Sequence, residues 1–152
     1  MKMLPRFILA AALAAAGSLA LAAGLPEVVV YKSPTCGCCG TWVDHMKANG
    51  FKVKVIDQAD VDPVKTRLGV PAQLASCHTA VVGGYVVEGH VPAAAVKRLL
   101  AEKPNTLGVS VPGMVAGSPG MEGPQPQPFS TIMFDERGRS RVFESYRPPY
   151  RW

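Results

Sequence analysis

The run Glu27-Val-Val-Val-Tyr-Lys32 meets a breaker, Ser33-Pro34-Thr35, and then the tetrapeptide Cys36-Gly37-Cys38-Cys39. An apolar run of this length reads as a strand buried on both faces. Ser33 or Thr35 can cap the helix that follows. From Cys39 to Asn49 the residues Cys39, Trp42, Val43 and Met46 recur at helical spacing, and Asn49-Gly50 ends the segment. Phe51 to Asp57 alternates as a half-buried strand. Strand, helix and strand within about thirty residues make a βαβ unit with a right-handed crossover. The chain must therefore build a sheet with a parallel pair, and the cysteines must sit where its first strand turns into its first helix.

Downstream the signals are local. Residues 60–69 suit a short helix, and Gly69-Val70-Pro71 leads into a loop. Thr79-Ala-Val-Val82, Gly83-Gly84 and Tyr85-Val-Val-Glu88 read as a hairpin with a two-residue turn. Pro92 opens a helix, Ala93 to Glu102, that stops at Pro104. Between Pro104 and Pro128, 11 of 25 residues are Gly or Pro, which reads as a long loop. Phe129 to Phe134 and Arg141 to Tyr146, around Asp135-Glu-Arg-Gly138, form a last hairpin spanning residues 129–146. A βαβ unit followed by a hairpin and a closing helix is the order of the thioredoxin fold. The expected class is α/β and thioredoxin-like, with a Gly/Pro/Met-rich loop and a C-terminal β-hairpin.

The N-terminus reads as an address. Lys2 and Arg6 precede an uncharged run from Phe7 to Ala23, with Ala20-Leu21-Ala22 as a small-residue cleavage site. That pattern is a secretory signal peptide over residues 1–22, shorter and richer in Ala than a membrane span. Residues 23–152 then form one domain by length, exported and not inserted in the membrane. The full chain carries 16 Lys or Arg against 11 Asp or Glu. Arg137, Arg139, Arg141, Arg147 and Arg151 crowd the C-terminus. An exported protein rarely meets nucleic acid, so this basic tail reads as a solvated hairpin.

All four cysteines lie in the exported part: Cys36, Cys38, Cys39 and Cys77. An even count in an oxidising compartment ordinarily implies structural disulfides. Here three fall within four residues, where a bridge constrains little of the unfolded chain. Clustering fits thiol chemistry or metal binding better. Cys36 and Cys39 are spaced as C-x-x-C at a helix start, whose exposed N–H groups favour a thiolate. Cys38 is surplus to a simple dithiol, which argues for a metal.

The hairpin brings the fourth cysteine in. With Gly83-Gly84 as the turn, Val82 opposes Tyr85 and Thr79 opposes Glu88. Continued outward, His78 opposes Gly89 and Cys77 opposes His90. Opposed residues lie about 4.5–5.5 Å apart, so Cys77 and His90 should sit side by side, near the end where the first strand delivers Cys36 to Cys39. A one-residue slip would exchange His78 and His90. Soft thiolates select Cu(I) or zinc. Adjacent Cys38 and Cys39 would crowd a single zinc ion and suit bridging thiolates in a polynuclear Cu(I) centre. Met114 and Met121, on the Gly/Pro loop, offer thioethers for Cu(I) or, equally, cover an apolar patch. His45 beside Asp44 is expected in solvent, Met46 in the core, and Glu88 as an ordinary strand carboxylate. No Ser-His-Asp arrangement, phosphate-binding loop or catalytic carboxylate pair stands out.

Several motifs in order, Tyr31-Lys-Ser-Pro-Thr-Cys-Gly-Cys-Cys-Gly40, Leu68-Gly-Val-Pro71, Ser76-Cys-His-Thr-Ala80, Gly84-Tyr-Val-Val-Glu-Gly-His-Val-Pro92, Val111-Pro-Gly-Met114 and Gly117-Ser-Pro-Gly-Met-Glu122, resemble the CopG-like family of periplasmic copper-responsive proteins. The resemblance runs from residue 27 to 146. It implies a thioredoxin-like fold, a Gram-negative periplasmic location, a role in copper resistance, and Cu(I) held by Cys36, Cys38, Cys39 and Cys77, with thiol–disulfide or copper redox chemistry. The expected function is copper homeostasis, with copper ions, periplasmic copper-handling proteins and thiol reductants as partners. The rival is a thiol–disulfide oxidoreductase using Cys36 and Cys39, with Cys77 as a resolving thiol. A structural zinc domain is the third reading.

Overall fold

The structure, a computed structural model, describes residues 24–150. The expected signal peptide lies outside the described residues. Among those described, no helix is long and apolar enough to cross a membrane.

The elements follow the order read from the sequence, with two additions, a 3-10 turn before the first hairpin and a short strand in the Gly/Pro-rich segment. Strand β1 (Val28–Lys32), helix α1 (Gly37–Ala48), strand β2 (Val53–Asp57) and helix α2 (Asp62–Arg67) come first. A 3-10 turn (Ala72–Leu74) precedes strands β3 (Thr79–Val82) and β4 (Tyr85–Glu88), then helix α3 (Ala93–Glu102). Strands β5 (Gly108–Ser110), β6 (Phe129–Phe134) and β7 (Ser140–Tyr146) complete the chain. All seven strands join in one mixed sheet of order β2-β1-β3-β4-β5-β6-β7. β1 runs parallel to β2 and antiparallel to β3, so β1 lies inside the sheet and the cysteines follow directly from it.

Side-chain alternation divides the interior. Val87 joins the main core with Val28, Val30, Trp42, Met46, Val96 and Leu99, so α1 and α3 cover one face. Val86, one residue earlier, points the other way into a smaller cluster with Leu74 and Phe134. β1 departs from its expected burial: Val28, Val30 and Lys32 are buried, whereas Val29 and Tyr31 are half-buried. The second face of the sheet is covered less completely than the first.

The β3–β4 hairpin has the expected register, Val82 opposite Tyr85 and Thr79 opposite Glu88. Gly83 (φ 55°) and Gly84 (φ 87°) both take the left-handed conformation that a tight hairpin turn of this hand requires. α3 runs over the expected residues. Lys103 (φ 47°) closes it in the left-handed conformation, and Pro104 prevents continuation.

Two further expectations are corrected. Neither Ser33 nor Thr35 caps α1: the cap residue is Cys36, without a side-chain cap, and the two hydroxyls bond each other at 3.0 Å. The segment 104–128 is not all loop, because β5 pairs parallel with β4 and antiparallel with β6. Gly108 hides this strand in the sequence. It is required there, since a Cβ would collide with the Val86 carbonyl. The terminal hairpin thus extends the main sheet, with a bulge at Thr131/Ile132 and β7 beginning one residue before the expected start.

Candidate metal centre

The four cysteine sulfurs converge: their Sγ atoms all lie within 4.8 Å of one another. β1 and its Pro34 turn deliver Cys36 as the N-cap of α1, and the first helical turn carries Cys38 and Cys39. Cys36 and Cys39 are joined in a disulfide, and Cys38 and Cys77 are free thiols. Cys38 Sγ lies 3.5 Å from Cys36 Sγ, and Cys77 Sγ lies 3.4 Å from Cys39 Sγ.

The hairpin register supplies the imidazoles. Past the last ladder pair, the Gly89 N–H donates to the His78 carbonyl at 2.9 Å, so the two chains stay adjacent. Cys77 Sγ is then 3.0 Å from His90 Nε2 and 3.3 Å from His78 Nδ1. His90 Nδ1 lies 2.8 Å from the Pro119 carbonyl, an acceptor only, so Nδ1 carries the proton and donates. The Nε2 lone pair therefore faces Cys77, which is the second-sphere arrangement common to metal-binding histidines. His78 is fully buried, with its ring centroid 4.5 Å from that of Trp42 and 5.0 Å from that of His90. Its Nε2 has no hydrogen-bond partner among the described residues.

Burial sets the protonation states. It holds His78 well below its ordinary value, helped by His90, Lys65 and Lys32 nearby. Burial also lowers His90, against the Pro119 carbonyl and Glu122, so both rings are neutral near pH 7. The Cys77 thiol is pushed up to about 11, first by burial and then by Cys38. A soft cation that displaced the thiol proton would bind in competition with it.

The Gly/Pro loop lies over this site. At Gly120 (φ 85°) a Cβ would come within 2.8 Å of the Trp42 amide nitrogen and 2.7 Å of the Cys38 carbonyl, so only glycine allows the loop so close to α1. Met121 follows it and is half-buried, whereas Met114 is 51% exposed on a turn whose Gly113 bonds Ala75 and Ser76.

Two side chains differ from expectation. His45 is half-buried, and its Nε2 accepts the Ala93 N–H at the start of α3 at 3.0 Å. Helical phase placed it opposite Trp42, but α3 packs along that flank and its unsatisfied N–H recruits the ring. Glu88 is fully buried and no ordinary strand carboxylate. Its Oε1 accepts from Lys65 Nζ and from the Ser76 N–H, both at 2.6 Å, and its Oε2 accepts from the Thr79 hydroxyl at 2.6 Å. The Thr79–Glu88 contact was implicit in the hairpin register. Lys65 carried no signal, because it reaches the site from α2 across the chain. Met46 is buried in the core, as expected.

Residues 74–121 match a family model described as "Protein of unknown function, DUF411". Two solved structures are similar over most of the chain. One, "Copper resistance protein copG- Form 2", is 43% identical, covers 81% of this chain and 99% of its own, and superposes with a TM-score of 0.77. The other, "Copper resistance protein copG- Form 1", is also 43% identical, covers 80% and 98%, and gives 0.75. No curated protein matches.

Proposed function

The chain belongs to the CopG copper-resistance family, and from that premise we propose that it is a periplasmic copper-handling protein, exported by residues 1–22, that binds one or more Cu(I) ions through Cys36, Cys38, Cys39 and Cys77. The observation that carries this reading is the convergence of four sulfurs within 4.8 Å. The donor set fits the metal: thiolates are soft, and the backbone adjacency of Cys38 and Cys39 favours bridging between several ions over a single tetrahedral zinc. His90 adds a neutral Nε2 lone pair and His78 a neutral Nδ1. Met114 and Met121, on the Gly/Pro loop, would add thioethers.

Redox state gates the site in this reading. With Cys36 and Cys39 joined, two of four thiolates are withheld. Two electrons and two protons from a periplasmic thiol reductant open the bridge, and Cu(I) then displaces the thiol protons. A periplasmic disulfide oxidant that accepts two electrons from the Cys36 and Cys39 thiolates re-forms the bridge and releases the metal. Replacing Cys38 by Ser lowers the Cu(I) stoichiometry of the reduced protein in a bathocuproine competition titration. Unchanged stoichiometry removes Cys38 from the ligand set.

One distance favours a second reading, a thiol–disulfide oxidoreductase. Cys77 Sγ, 3.4 Å from Cys39 Sγ, stands where a resolving thiol would. That reading requires metal-free turnover of a protein disulfide that survives Cys38→Ser. Metal analysis of protein purified under reducing conditions separates both readings from a zinc site.

A further inference from the structure

Lys65 and Glu88 are 6% and 0% exposed, and they meet at 2.6 Å beneath the Cys77 segment. Removing two charges from water is costly, and an apolar pair of similar volume often serves stability as well or better. Stability therefore gives no reason for this pair. What an apolar pair lacks is a directed acceptor. Glu88 Oε1 accepts the backbone N–H of Ser76, the residue immediately before Cys77, at 2.6 Å. Glu88 Oε2 takes the Thr79 hydroxyl at 2.6 Å, and Lys65 also reaches that hydroxyl at 3.0 Å. The segment 76–79 is thus gripped at both ends by one carboxylate.

Ser76 needs this acceptor. It follows the 3-10 turn and precedes β3, so no strand partner takes its N–H. Its neighbours fit closely: a Cβ on Gly89 would collide with the Ser76 side chain and the Val111 carbonyl. On the other side of Cys77, the His78 carbonyl accepts the Gly89 N–H. Cys36, Cys38 and Cys39 all lie at the start of α1, whereas Cys77 comes from the chain before β3, so its place among the other sulfurs depends on this segment.

We propose that Glu88, with Lys65 as its counter-ion, is the positioning residue of the sulfur cluster: by accepting the Ser76 N–H it holds the Cys77 sulfur against Cys39. The proposal deepens the copper reading, on which its functional meaning rests, and its test needs no metal, so the two fail separately. In the full chain carrying Cys36→Ser and Cys38→Ser, the Cys39–Cys77 disulfide constant against glutathione measures how well the two sulfurs are held together.

Glu88→Gln keeps an oxygen for Ser76 and an amide for Thr79, and leaves this constant within about threefold. Glu88→Leu with Lys65→Met deletes both charges and the acceptor together; it keeps the native near-UV circular dichroism and lowers the constant more than tenfold. A folded apolar pair with the constant within threefold overturns the proposal, as does a Glu88→Gln chain that falls as far as the apolar pair. Should the apolar pair fail to fold, amide exchange on the unaltered chain decides. Protection of the Ser76 N–H comparable to that of β3 supports the proposal, and exchange at the rate of an open loop overturns it.

Discussion

Protonating His45 takes away the lone pair that accepts the Ala93 N–H and places a cation at the positive end of α3. Burial lowers this imidazole from its ordinary 6.5, with Lys97 adding to the shift and Glu122 opposing it. Because the folded pKa is the lower one, the unfolded chain takes up the proton first as the pH falls. The contribution of His45 is fully present above pH 6.5 and is lost progressively below it, toward the folded value. His45→Gln keeps an acceptor without a titrating group. Urea unfolding at pH 7.5 and pH 5.5 will show a smaller loss of stability in the variant than in the parent. Equal losses would mean that His45 takes no part. His78 and His90 are lowered as well, but they act alike in both proteins and cancel from the comparison.

At the scale of elements, what could be read from the sequence was what local chemistry decides. Gly83-Gly84 fixes the hairpin turn, and counting outward from a two-residue turn fixes its register, so the Cys77–His90 contact was legible in the sequence. Pro92 and Pro104 bracket α3 for the same local reason. β5 escaped because three residues beginning with Gly108 carry no periodicity; only β4 and β6, on either side, make them a strand. The Lys65–Glu88 pair escaped for a related reason, since α2 and β4 meet only through tertiary packing. The loop over α1 sits between these cases. Its glycines and methionines were visible, but its path across the helix start was not. That path rests on Gly120, so Gly120→Ala tests it. The left-handed backbone and the collision with the Cys38 carbonyl together should cost roughly 1–3 kcal/mol in urea unfolding. His90 Nδ1 should also lose its carbonyl partner, seen as a change in imidazole nitrogen shifts. A cost under about 0.5 kcal/mol would place the loop elsewhere.

For the whole molecule, the question is whether the terminal hairpin is an appendage to the βαβ–hairpin–helix frame or part of its core. Phe129, Met133 and Phe134 of β6 are 7%, 5% and 1% exposed, and they serve both faces: Phe129 and Met133 in the main core, Phe134 in the smaller cluster. At roughly 1.5–3 kcal/mol for each buried side chain, their removal forfeits about 5–9 kcal/mol. A domain of this size has about 5–15 kcal/mol in total. Removal also strips β5 of its antiparallel partner, leaving three residues as a sheet edge. The loop over the cysteine cluster is held from this side too. The Gln127 N–H bonds the Ala116 carbonyl at 2.8 Å, the Tyr150 hydroxyl bonds the Gln127 carbonyl, and the Tyr150 ring lies against Gly117. A chain ending at Pro128 should therefore show no cooperative urea transition and should lose its near-UV circular dichroism, although every cysteine and histidine remains. If such a chain instead unfolds cooperatively within about 1 kcal/mol of the full protein, the hairpin is an appendage. The seven-stranded sheet would then be one stable frame with a dispensable edge.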